Sequence, residues 1–99
     1  MWYTIYGEDK PGSLKKRIEA RPEHLARLEE LKNQGRLFVA GPHPAIDSEE
    51  PGDAGFTGSL IIAKFDSLVS AKFWADSDPY VKEKIYSKVT IKPFKKVLP

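Results

Sequence analysis

Four short runs rich in β-branched and aromatic residues alternate with two stretches of helical period, and this order constrains the fold more than any other feature. The runs are Trp2 to Gly7, Leu37 to Gly41, Ser59 to Phe65 and Tyr86 to Lys92. In the last of these, Val89 and Ile91 alternate with Lys88, Thr90 and Lys92, as a half-buried strand requires. The helical stretches are expected from Pro22 to Gln34, stopped by Gly35, and from a cap at Asp66 or Ser67 to about Ala75. Leu14 to Ala20 reads as a short helical turn before Pro22, and Pro79 opens a further turn through Lys84.

Strand, helix, strand, strand, helix, strand closes most simply as an α+β sandwich with an antiparallel sheet and both helices on one face. Trp2 to Tyr6 and Leu60 to Phe65 are apolar on both sides, so the uncovered face calls for a second copy and a homodimer is expected. On the second helix, Leu68, Ala71, Trp74 and Ala75 share one side, while Val69 and Phe73 point away. Pro42 to Thr57 reads as a long loop of the kind that often serves as a lid.

The stretch RPEHLARLEEL concentrates the chemistry. At about 100° per residue, His24, Leu28 and Leu31 share an inward stripe with Leu25 beside them. With Pro22 at the first helical position, His24 falls in the first turn, where the helix dipole favours a neutral ring. A nearby carboxylate would orient that ring, and Asp9, with Glu8 as its rival, is the candidate. The pair would then act as a general base, whereas the plainer alternative is a core histidine beside a turn-forming aspartate.

Ser59 is a candidate donor to a substrate oxygen, or else a hydroxyl that satisfies backbone at the strand entrance, and GFTGS lacks the nucleophile-elbow context of a serine hydrolase. Arg21 lies on the inward stripe beside Leu25 and suits a substrate carboxylate or, equally, an ion pair with a local acid. Phe56 and Tyr80, with Trp2, Tyr6 and Trp74, offer an apolar wall for a ring-shaped ligand, the plainer alternative being that most of them are simply core, and Pro42 begins the loop that would close over the site. His24, His43, Asp9 and Asp47 include ordinary metal ligands, yet no ligand spacing joins them, so no metal site is assigned.

Sixteen basic and 14 acidic residues leave a net charge of +2, which supplies no strong attraction to nucleic acid or an anionic membrane. Without cysteine, thiolate chemistry and disulfides are excluded. The opening MWYTIY has no basic segment leading into a long apolar run, so a soluble, cytoplasmic protein folded as one domain over residues 1–99 is expected.

The segments MWYTIYGEDKPGS, RPEHLARL, LFVAGPHPAIDSEEPGDAGFTGS, WADSDPYV and KPFKKV resemble, in order, the YCII-related family of small bacterial proteins. The resemblance implies a ferredoxin-like α+β fold, dimerisation into a barrel-like assembly, and a site containing a histidine and an aspartate. At matching positions these are His24 and Asp9, with Ser59 near the same cleft. A wider relative is similar to enzymes that eliminate halide from hydroxylated aromatic rings. The expected function is cofactor-independent lyase or isomerase chemistry on a small molecule, with a non-catalytic binding domain as the alternative.

Overall fold

The computed structural model describes residues 1–99. Its elements are β1 (Trp2–Asp9), α1 (Leu14–Asn33), β2 (Leu37–Pro44), a 3-10 turn (Gly52–Ala54), β3 (Phe56–Lys64), α2 (Leu68–Asp76), α3 (Pro79–Lys82) and β4 (Tyr86–Phe94). The strands form one antiparallel sheet in the order β2-β3-β1-β4. This is the α+β sandwich expected from the order of the runs, and it has the ferredoxin-like form that the family resemblance implies.

Alternation along β1 sets the two faces. Tyr3 and Ile5 point toward the helices and join Ile61, Ala63 and Phe65 of the β3 segment, Leu28 and Leu31 of α1, and Ala71 and Ala75 of α2 in one core. Burying each leucine of that set contributes about 1.5–3 kcal/mol. Val69 and Phe73 lie on the outside of α2, as its periodicity requires. Ser67 caps α2 by accepting from the Ser70 amide at 3.1 Å, while the Ser70 hydroxyl accepts from the Ser67 amide at 3.0 Å.

Two expectations need correction. First, α1 does not begin at Pro22 but runs unbroken from Leu14, with Pro22 inside it. Proline removes the amide that would reach the Ile18 carbonyl, but Ile18 and Pro22 are both exposed, so water can serve that carbonyl. His24 therefore sits in mid-helix, and the dipole of a helix start does not govern it.

Second, the loop is shorter than Pro42 to Thr57. Pro42 and His43 belong to β2, opposite Ser59 and Gly58, and β3 begins at Phe56. Because β2 is an edge strand, prolines can occupy it without breaking a ladder on both sides. The remaining loop, 45–55, is closed by the Ala45 amide donating to the Gly55 carbonyl at 2.9 Å.

Opposite the helices, the sheet face carries Trp2, Tyr6, Leu60 and Ile62 with Phe38 and Val39. Trp2 packs against Phe38 at 5.5 Å between ring centroids, and Tyr6 against His43 at 5.5 Å.

Candidate active site

Continuing α1 toward its N-terminus brings Arg17 and Arg21 onto the same side as His24 and Leu28, at the four- and three-residue spacings of successive turns. These side chains face Ala40 and Pro42 of β2 and Ser59 and Ile61 of β3 across a cavity of about 410 Å³. Leu14, Ile18, Leu25, Phe56 and Tyr80 complete most of its apolar wall. Cavities of about 300–1,000 Å³ with a few convergent polar groups are the usual form of a small-molecule site.

His24 is buried, and its Nδ1 lies 2.9 Å from each oxygen of Asp78. A carboxylate accepts only, so Nδ1 is the donor in this contact, and it is the neutral form of the ring that presents a lone pair at Nε2. Nε2 makes no hydrogen bond within the chain, and the ring lines the cavity. The Tyr80 ring stacks on the imidazole, 3.9 Å away and 8° from parallel.

Asp78 caps α3 just before Pro79, and its carboxylate accepts from the Tyr80 amide at 2.9 Å. It also accepts from Arg27 Nη1 at 2.9 Å, while Arg27 Nη2 donates to the Trp74 carbonyl at 2.7 Å. Arg27 lies over the Trp74 ring, 4.1 Å from its centroid. Three donors on one buried carboxylate hold it in place.

The expected His24–Asp9 pair is therefore corrected: the carboxylate at His24 belongs to Asp78, and Asp9 is occupied by Arg17. Arg17 Nη1 donates to both Asp9 oxygens, at 2.8 and 2.9 Å, with both side chains almost wholly buried. Arg17 Nη2 donates to the Gly58 carbonyl at 3.3 Å and to Ser59 Oγ. The guanidinium also lies 4.7 Å from the centre of the Tyr80 ring. Alternation explains why Asp9 rather than Glu8 enters this cluster, since Asp9 follows Tyr3, Ile5 and Gly7 on the helix side.

Burial raises the Asp9 carboxyl above its ordinary range, and the charge and hydrogen bonds of Arg17 pull it back only in part. Burial likewise raises the Tyr80 phenol, against the opposing pull of Arg17 and Arg21. Tyr86, whose ring covers Gly7 so closely that a side chain there has no room, is pushed up to about 12 by burial. An unfolded tyrosine ionises near pH 10, so this contribution is complete below about pH 10 and is lost as pH rises toward 12. Denaturation at about pH 9 and 11.5 should show stability falling by on the order of 2 kcal/mol, with a smaller fall in Tyr86→Phe.

Of the residues expected from sequence, His24, Arg21, Pro42, Phe56, Ser59 and Tyr80 line the cavity, and Asp9 stands behind Arg17. His43 lies elsewhere, against Tyr6 on the helix-free face, so it does not join His24 and Asp9. Sequence reasoning missed Asp78, Arg17 and Arg27. An aspartate directly before a proline was a capping signal for α3, and Arg17 stands two helical turns before His24.

The fold and cavity define a ferredoxin-like α+β protein with a histidine–carboxylate pair at a small-molecule-sized site. The YCII-related domain model matches residues 1–95, and the chain belongs to that family. It is 59% identical over 97 residues to Protein YciI of Escherichia coli O6:H1, covering 98% of this chain and 99% of the relative. A Haemophilus influenzae protein is 54% identical over 97 residues, with the same 98% and 99% coverage. Among solved structures, the chain is similar to 5-chloro-2-hydroxyhydroquinone dehydrochlorinase (TftG) from Burkholderia phenoliruptrix AC1100, in complex with 2,5-dihydroxybenzoquinone. The TM-score is 0.84 at 31% identity, over 96% of this chain and 94% of that one. No helix is long and apolar enough to cross a membrane.

Proposed function

We propose that this protein is a small-molecule enzyme in which His24, oriented by Asp78, moves a proton on a flat, ring-shaped substrate in lyase- or isomerase-type chemistry. The observation that carries this reading is the Nδ1 contact with Asp78 beside an apolar cavity lined by the same imidazole. Nε2 takes a proton from an O–H or C–H of the substrate, and the Asp78 carboxylate stabilises the imidazolium that forms. The proton returns at another substrate atom in an isomerisation, or leaves with the departing group in an elimination.

Similarity to a dehydrochlorinase of a hydroxylated aromatic ring supports both the chemistry and the substrate shape. In this reading Ser59 offers its hydroxyl to a substrate oxygen, while Asp9 acts through Arg17 by fixing the floor on which Ser59 sits.

The test is turnover and binding measured together on hydroxylated, halogenated ring compounds. His24→Gln and Asp78→Asn are expected to bind such a compound nearly as well as the parent protein and to lose turnover. Full turnover by His24→Gln would refute the assignment, and compounds that bind without ever reacting would favour a non-catalytic binding domain.

We also infer a homodimer that covers the helix-free face. Val39, 46% exposed in the isolated chain, and Phe38, 37% exposed, lie there beside Trp2 and Ile62. Sedimentation at micromolar concentration should give a dimer, and Val39→Glu a folded monomer. A monomeric parent protein would exclude this assembly.

A further inference from the structure

We propose that the substrate carries a carboxylate on its ring and that Arg21, at the cavity mouth, binds it. This names the substrate class of the acid–base site and rests on that reading. Arg17 is neutralised by Asp9, and Arg27 by Asp78, each through contacts of 2.9 Å or less. Arg21 lines the same cavity, is exposed, and belongs to none of the chain's ion pairs. Neither aspartate nor glutamate lines the cavity, so no built-in anion competes for Arg21.

The site thus presents one uncompensated positive charge, and a second appears when His24 accepts a proton. An anionic substrate balances the first and moderates the second, whereas a cationic one opposes both. The planar guanidinium fits a carboxylate through two parallel hydrogen bonds. Leu25, Ile18 and Leu14 are exposed or half-buried along the same helix side, and they give the ring an apolar surface next to that charge. Arg21 and His24 are three residues apart on one helix, so an anion at Arg21 places the ring itself near Nε2.

Calorimetric titration of the intact protein with 2,5-dihydroxybenzoate and with hydroquinone isolates the carboxylate. The parent protein should bind the acid about tenfold more tightly, a preference that falls as salt is added. Arg21→Gln should reduce the preference to within about twofold, and Arg21→Lys should retain part of it. His24→Gln, which removes the proposed base, should keep the preference. Equal binding of the two rings by the parent protein, or an undiminished preference in Arg21→Gln, overturns the carboxylate assignment alone. Loss of the preference in His24→Gln moves the anion to the imidazole and also overturns it. Failure of both rings to bind overturns the ring-shaped substrate together with its charge.

Discussion

Asparagine in place of Asp78 is expected to lower turnover by about 10²–10⁴-fold, the range typical of losing a positioned base. The carboxylate accepts from His24 Nδ1, Arg27 Nη1 and the Tyr80 amide. An asparagine keeps one acceptor oxygen and introduces two donors, so one of those three groups meets another donor. If the amide faces Nδ1, the imidazole protonates Nε2 instead, and the lone pair toward the cavity is lost. Binding of a ring compound, which draws on the apolar walls, should change little, so the loss appears in kcat rather than KM. Nitrogen chemical shifts of His24 would report the tautomer directly. Unchanged shifts with full turnover would show that Asp78 has a structural role only. Asp78→Ala goes further, leaving Arg27 and His24 without their shared acceptor, and should destabilise the fold by about 3–5 kcal/mol in denaturant titrations.

The contrast between Asp9 and Asp78 shows what the sequence could reveal. Local period was legible: the strands, the inward face of His24, Leu28 and Leu31, and the outward Val69 and Phe73 all follow from side-chain spacing. Asp9 and Glu8 stay rivals in the sequence, and the observed faces of β1 separate them. Which carboxylate reaches His24 depends on how α3 docks against α1, a contact between residues 54 apart in the chain, and spacing carries no such information. Pro22 misled for a different reason. Its cost falls on an exposed carbonyl that water can satisfy, so packing of the stripe outweighs the usual signal for a helix start. Once the helix is broken there, Arg17 loses its register with His24 and drops out of view. Pro42 and Pro44 misled similarly, because an edge strand tolerates the missing amide.

Arg17→Met is expected to cost about 3–5 kcal/mol near pH 7, because it strands the Asp9 carboxylate inside the protein. Arg17 now pulls the raised Asp9 pKa partly back, so removing it raises that pKa further. For an acid raised on folding, stability is complete below the unfolded value of about 3.9 and is lost as pH rises through the folded value. The penalty in Arg17→Met should therefore be small near pH 4, grow as pH rises, and level off only above the new Asp9 pKa. Adding Asp9→Leu removes the stranded charge, and the double variant should recover much of the loss and flatten the pH dependence. Ser59 loses its guanidinium donor in both variants, so its part in turnover can be read from the double one without the stability defect. If the single variant is as stable at pH 7 as at pH 4, water reaches Asp9 freely. The Arg17–Asp9 pair would then be a solvated contact and not the floor of the site.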